Sequence, residues 1–223
     1  MTRPILVPAA RRADQQPCDI TWHIMQMGSY SDSVRALQNI IKPVFDALTK
    51  GLEAAAQQHL DSGFARGDDP HYFSHTARRV ASKELGNLGI TATNESSGRP
   101  LLSLSGILIT HNGLAVRVLR SPYKEGTRSH LIPPPGRSAR RQAFWRQMPA
   151  LSDFHTDNHL LLWTDDESRL LDPMTLVRPL GGDYRRDSVI VDWAGPLSRG
   201  MSMLRAADLD ELRPSYKSDQ LEG

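Results

Sequence analysis

The dipeptide Asn112-Gly113 lies between two runs of residues in which apolar and polar side chains alternate. Alternation with a period of two is typical of β-strands, and Asn-Gly is the strongest short signal for a two-residue hairpin turn. Pairing across that turn puts Ile109 opposite Val116 on one apolar face. The sequence therefore predicts an antiparallel hairpin over residues 103–120.

Before the hairpin, apolar residues recur at helical spacing. Residues 31–60 predict a first helix, which Pro43 should kink or split because proline lacks the amide proton. A second helix should begin at Asp69, a capping residue followed by Pro70, and should end at one of the glycines near residue 88. The helical part is thus expected to span residues 31–88.

After the hairpin, the sequence predicts one short helix and several more strands. Ser138 can cap a helix that runs to about Met148. Further strands are expected at residues 159–163, 169–171, 175–178 and 188–193, with turns at Asp165-Asp166 and Gly181-Gly182-Asp183. Helices followed by strands indicate an α+β fold, with N-terminal helices packed on a mostly antiparallel sheet and a basic helix inserted between strands.

The chain is expected to form one domain, residues 20–205, whose sheet-rich part covers residues 101–194. Residues 1–19 are rich in Pro, Arg and Gln and predict a flexible arm, and residues 206–223 predict a polar, acidic tail. Cys18 is the only cysteine, so an internal disulfide is excluded. No window approaches 18 uninterrupted apolar residues. We expect a soluble, cytoplasmic protein with no membrane partner, and the sequence leaves its oligomeric state open.

Positive charge is concentrated in residues 117–146, which hold eight basic residues and one acidic residue. This segment carries +7, whereas the whole chain carries +2 and residues 147–223, with eight basic and fourteen acidic residues, carry −6. Such a local positive field indicates a polyanionic partner. We predict binding of nucleic acid, RNA ahead of DNA, with Trp145 or Tyr123 stacking on a base. The basic residues of this surface are Arg117, Arg120, Lys124, Arg128, Arg137, Arg140, Arg141 and Arg146.

Two alternatives stay open for the same segment. Its arginines could instead pair with the acidic C-terminal third of the chain while Trp145 packs inward. The basic helix could also dock on an acidic protein, or on another copy of this chain. In that case Trp145 would be the main anchor, because aromatic residues dominate such interfaces.

Histidines are the candidates for chemistry. His71 and His75 lie four residues apart on the second predicted helix, and Arg78 follows them. An imidazole beside an arginine could move the 2′-hydroxyl proton in metal-free, toxin-like RNA cleavage, in the same cleft as the basic surface. The order of helices and sheet is also similar to that of small bacterial ribonuclease toxins, at the level of fold alone. Whether the protein is an enzyme stays open.

Metal and cofactor sites find little support in the sequence. His155 and His159 repeat the four-residue spacing of the first histidine pair, and two such pairs could in principle hold zinc. The spacing HxxxH is frequent by chance, and we predict no metal. Phosphate-loop and dinucleotide-binding motifs are missing from the sequence, so we predict no cofactor.

Overall fold

The structure is a computed structural model that describes residues 28–65, 67–91, 102–103, 106–127, 129–148 and 157–217. Its helices are α1 (Tyr30–Asp61), α2 (Pro70–Asn87), α3 (Ala139–Trp145) and α4 (Ala206–Asp210), with a 3₁₀ helix at Arg199–Met203. Its strands are β1 (Leu102–Ser103), β2 (Gly106–His111), β3 (Leu114–Arg120), β4 (Asp157–Trp163), β5 (Asp165–Asp166), β6 (Arg169–Leu170), β7 (Met174–Asp183), β8 (Ser188–Leu197) and β9 (Tyr216–Lys217). The predicted α+β class is confirmed.

Seven strands form one sheet in the order β1-β2-β3-β4-β7-β8-β9, while β5 and β6 form a separate hairpin. Neighbouring strands run antiparallel except β3 and β4, which run parallel with Arg120 in register with Trp163. A parallel pair needs a long crossover connection, and α3 lies in it. The carboxyl ends of β3 and β4 therefore lie side by side.

Helices cover both faces of the large sheet. On one face, α1 and α2 share a hydrophobic core with sheet residues such as Val116 and Trp163. On the opposite face, Phe144 and Trp145 of α3 pack against residues that include Leu160. The domain thus has three layers, and α2 and α3 lie on opposite sides of the sheet.

The hairpin is confirmed with its register. Ile109 pairs with Val116 as the alternation predicts. Asn112 has a φ of 45° and Gly113 a φ of 78°. Positive φ at both central residues defines the turn that matches the twist of two paired strands, and asparagine and glycine tolerate it best.

The two long helices begin where the sequence signals predict. For α2, the Asp69 side chain accepts a hydrogen bond of 2.8 Å from the amide of Tyr72, and Pro70 is the first helical residue. Of the two effects expected of Pro43, a kink or a split of α1, the split does not occur, because α1 runs without a break through Pro43. The apolar stripe around the proline is buried, and this packing maintains the helix despite the missing hydrogen bond.

Two predicted turns are displaced. Asp165 and Asp166 form β5, and the turn follows at Glu167-Ser168, whose φ values are 46° and 68°. Gly181-Gly182-Asp183 lies within β7, and the chain turns at residues 184–187. A Cβ on Gly182 would lie 2.4 Å from the carbonyl oxygen of Ser188. This glycine therefore permits close approach of two strands rather than a turn.

The C-terminal residues to 217 are part of the domain rather than a tail. They form α4 and β9, β9 pairs with β8, and Leu209 is only 1% exposed. The predicted arm, residues 1–19, lies outside the described residues. Among the described helices, none combines the length and hydropathy that crossing a membrane requires.

Candidate functional site

A reciprocal set of hydrogen bonds joins the end of α3 to the start of β4. Gln147 donates from Nε2 to the Asn158 carbonyl at 2.8 Å, and its Oε1 accepts from the Asn158 amide at 2.8 Å. The Asn158 side chain donates to the carbonyls of Phe144 at 3.0 Å and Met148 at 2.7 Å. Gln147 has a φ of 60°, which ends the helix earlier than the sequence predicts. α3 is therefore held in one orientation on the sheet.

This orientation gives α3 a basic outer side. Arg137, Arg140 and Arg146 are exposed and Arg141 is half-buried. In the described part of the chain, no carboxylate oxygen lies within 4.0 Å of these four guanidinium groups. We call these four residues the α3 arginine surface. Pairing with the acidic C-terminal third, the first alternative from the sequence, is thus not found for these four arginines among the described residues, although Arg120 of the same segment does pair with Asp165.

Other arginines in the same protein are paired with aspartates. Arg35 contacts Asp32 at 2.9 Å, and Arg199 pairs with Asp46. Arg178 is buried between Asp157, at 2.8 Å, and a second aspartate. The α3 arginine surface differs because its charges are clustered and have no carboxylate partner among the residues that the structure describes. Uncompensated positive charge of this kind attracts anions from solution.

Arg117 does not belong to this surface, and its predicted place on it is wrong. It is 7% exposed because α3 covers its face of the sheet. Its guanidinium carbon lies 5.6 Å from the ring centre of Phe144 and 6.0 Å from that of Trp145. Burial, and then the nearby charges of Arg141 and Arg140, lower the pKa of Arg117 to about 10. The α3 arginines thus add to a positive charge that already lies beneath them.

Trp145 is also buried, so the predicted stacking role is wrong. The residue is 2% exposed, and its indole Nε1 donates a hydrogen bond of 3.1 Å to the carbonyl of Pro133. Its ring packs edge-on against Phe144. A side chain with its ring covered and its only donor used has no face left for a base. Trp145 instead fixes α3 and the proline-rich segment to the sheet.

The remaining residues predicted for the basic surface have different positions. Lys124 is exposed on the loop after β3, and Arg128 lies outside the described residues. Arg120 ends β3 and is paired with Asp165, with Nε 2.9 Å and Nη2 2.7 Å from Oδ1. It also donates from Nη1 to Ser74 Oγ at 2.8 Å. Its charge is therefore compensated, and its structural effect is to tie α2 to the sheet.

A cleft of about 440 Å³ opens at the carboxyl ends of β3 and β4. From α2, Pro70, His71, Ser74 and Arg78 line it, and Arg120, Pro122 and Thr164 line it from the sheet side. None of the α3 arginines is among these lining residues, because α2 and α3 lie on opposite faces of the sheet. The predicted single cleft with both histidines and the basic helix is therefore wrong.

The three predicted catalytic residues separate in the structure. His71 and Arg78 line the cleft, whereas His75 is exposed on α2 and is not among the lining residues. Arg78 is half-buried, and its Nε donates to the carbonyl of Ser74 at 3.1 Å. Burial lowers the pKa of this guanidinium below its ordinary value. The cleft thus combines one imidazole, hydroxyl groups and two guanidinium groups, of which one is already paired.

Of the second histidine pair, His159 is not among the residues that line this cleft. His159 is fully buried, with Nε2 3.1 Å from Ser33 Oγ and Nδ1 3.1 Å from the Asp157 carbonyl. Burial lowers its pKa. His155 lies outside the described residues. Among the residues that the structure describes, no group of three or more His, Cys, Asp or Glu is placed to hold a metal ion.

Sequence reasoning missed the residues that position both regions. Gln147 and Asn158 orient α3, and Ser74 and Asp165 hold Arg120. Polar residues of this kind carry no periodic or motif signal. An aspartate two residues after a strand is the one local hint, and the sequence pattern at Asp165-Asp166 favours a turn instead.

No protein-family model matches this chain, and the comparisons with curated proteins and with solved structures give no significant match.

Proposed function

We propose that the protein binds nucleic acid, RNA ahead of DNA, through the α3 arginine surface. The observation that carries this proposal is the cluster of four arginines without a carboxylate within 4.0 Å in the described part of the chain. Guanidinium groups stay charged at every working pH and bind phosphate in a bidentate way. The sugar-phosphate backbone of a nucleic acid offers many such phosphate acceptors in a row.

The contacts are expected to involve phosphates rather than bases. α3 has seven residues, and its inner side is packed on the sheet through Phe144 and Trp145, so it is not free to enter a groove. With Trp145 buried, the described residues of α3 also offer no aromatic stacking platform. Phosphate contacts carry little sequence information, and such binding typically has a Kd of roughly 10⁻⁴–10⁻⁶ M at physiological salt.

RNA cleavage is not part of the proposed function. Metal-free cleavage needs one group to take the 2′-hydroxyl proton and a second to protonate the leaving oxygen. Of the two histidines proposed for these roles, His71 lines the cleft and His75 does not. The α3 arginine surface requires no such chemistry in order to bind.

The proposal is tested by fluorescence anisotropy with three labelled probes at low salt: a mixed-sequence 20-nucleotide RNA, a DNA duplex of matching sequence and a polyglutamate peptide. The test variant is R137Q/R140Q/R141Q. The matched control is R79Q/R169Q/R213Q, which removes the same charge from exposed positions outside α3. We expect RNA to bind the wild type and the control, and to bind the test variant at least tenfold more weakly.

Two results would contradict the proposal. If RNA and DNA fail to bind at low salt while polyglutamate binds, the α3 arginine surface serves an acidic protein partner. If RNA binding is lost equally in both variants, it depends on net charge rather than on α3.

A further inference from the structure

The cleft beside α2 lies where the fold favours a ligand. β3 and β4 are the one parallel pair among the described strands, and the cleft opens at their carboxyl ends. In open α/β sheets, ligands bind in the crevice outside the carboxyl ends of the parallel strands, and β3 and β4 reproduce that arrangement locally. A volume of about 440 Å³ falls within the range of small-molecule sites.

The charge of this cleft is positive. Asp and Glu are both missing from its described lining residues, which include Arg78, Arg120 and His71. Arg78 has no carboxylate within 4.0 Å in the described part of the chain. A half-buried guanidinium without a counter-ion is costly to keep charged, and an anion in the cleft would remove that cost.

Neighbouring contacts restrict where Arg78 can point. Its Nε is held by the Ser74 carbonyl, at 3.1 Å, which leaves the two terminal nitrogens for a ligand. Ser74 is fixed in turn, because its Oγ accepts from Arg120 at 2.8 Å. Arg120 is neutralised by Asp165 and acts as a positioning residue. A guanidinium held in this way is pre-organised for a ligand with two adjacent oxygen acceptors.

We propose that this cleft binds the phosphate group of a phosphomonoester, with Arg78 as the principal contact and His71 as a second donor. The cleft is large enough to take a mononucleotide, and its proline side chains offer apolar surface beside the charged groups. The terminal phosphate of an oligonucleotide presents the same chemistry. The site does not depend on the α3 arginine surface, which lies on the other face of the sheet.

The test is isothermal titration of the full chain with four probes: inorganic phosphate, adenosine 5′-monophosphate, and one RNA hexanucleotide with either a 5′-phosphate or a 5′-hydroxyl. We expect adenosine 5′-monophosphate to bind, and R78Q to weaken that binding at least tenfold. R79Q is the matched control, because Arg79 is the exposed neighbour that does not line the cleft. R78K keeps the charge but loses the planar fork, and its affinity for adenosine 5′-monophosphate is expected to lie between those of wild type and R78Q. Preference for the phosphorylated hexanucleotide would extend the ligand to nucleic-acid ends, and equal affinity for both hexanucleotides would restrict it to small molecules.

A thermal readout keeps the test decisive if R78Q is less stable. Saturating adenosine 5′-monophosphate should raise the Tm of wild type and R79Q, and should leave that of R78Q unchanged. Absence of adenosine 5′-monophosphate binding at millimolar concentration would overturn the proposal, and so would equal binding of that probe to wild type and R78Q. Neither result bears on the α3 arginine surface, because R137Q/R140Q/R141Q keeps every described lining residue of the cleft and should bind adenosine 5′-monophosphate as the wild type does.

Discussion

Gln147 and Asn158 form a reciprocal pair in which the Gln147 amide occupies both backbone groups of Asn158, with donor–acceptor distances of 2.8 Å in each direction. The Asn158 amide group then binds two carbonyls at the end of α3. A helix of seven residues has little stability by itself, and such contacts must hold it in place. Two uncharged side chains therefore help to set the orientation of the helix that presents the arginines.

Substitution of Asn158 by alanine should lower the free energy of unfolding by about 1–3 kcal/mol. The change removes the side-chain donor from the carbonyls of Phe144 and Met148, of which the Phe144 carbonyl keeps the Gln147 amide at 3.2 Å, and each lost hydrogen bond contributes roughly 0.5–1.5 kcal/mol. Urea unfolding followed by circular dichroism measures the effect. Asn87→Ala is the control, since Asn87 is exposed at the end of α2, and it should change stability by less than about 0.5 kcal/mol. Equal stability of the two variants would mean that α3 is not held by Asn158.

Substitutions of Trp145 should separate stability from binding. Trp145→Ala should cost about 3–5 kcal/mol, because it empties a site in which the side chain is 2% exposed. Trp145→Phe keeps most of the packing and should bind RNA with the wild-type affinity, since a buried ring does not stack on a base. Urea unfolding and fluorescence anisotropy on the same samples test both statements. A folded Trp145→Phe variant that binds RNA tenfold more weakly would restore the stacking role.

Removal of the α3 charges should not destabilise the protein. Arg140 and Arg141 have no carboxylate within 4.0 Å in the described part of the chain, and their charges help to lower the pKa of the buried Arg117. R140Q/R141Q should therefore unfold at the wild-type urea midpoint or slightly above it, by up to about 0.5 kcal/mol. A loss of more than 1 kcal/mol would indicate internal ion pairing instead.

Acid should destabilise the fold through His130. This residue is 4% exposed, with Nδ1 2.8 Å from Thr175 Oγ1, and burial lowers its pKa from 6.5 to about 4. Between pH 6.5 and pH 4, His130 is protonated in the unfolded chain but not in the folded chain. Stability should thus fall as the pH drops from about 6.5 to 4, by up to roughly 3 kcal/mol. His159 is also buried with a lowered pKa and acts in the same direction.

The His130 contribution is isolated by the variant H130Q. Urea unfolding at pH 7 and pH 4.5 should show a smaller acid-induced loss in H130Q than in the wild type, because one titrating group has been removed. If both proteins lose the same stability between these pH values, His130 is not the group responsible.

Local sequence signals predict those elements of the fold whose boundaries are set by residues close together along the chain. The hairpin at Asn112-Gly113 and the start of α2 at Asp69 follow from backbone geometry and capping, which act within a few residues. The parallel pairing of β3 with β4 could not be predicted in this way. It joins residues about forty positions apart, and its hydrogen bonds leave no pattern in either strand.

Burial was the main reason why candidate residues were placed incorrectly. Arg117 alternates with apolar residues as an outward-facing position would, yet α3 returns over that face and covers it. Counting charges along the chain locates the basic segment in the sequence. It could not separate Arg140, which is exposed, from Arg117, which is buried, because that depends on where the helix packs.

The salt dependence of RNA binding tests the α3 arginine surface most directly. Each phosphate contact on single-stranded RNA adds about 0.7 to the slope of log K against log salt. We predict that the slope of R137Q/R140Q/R141Q is smaller than that of the wild type by about 2, while R79Q/R169Q/R213Q keeps the wild-type slope. Parallel lines for the wild type and the α3 variant would contradict the account.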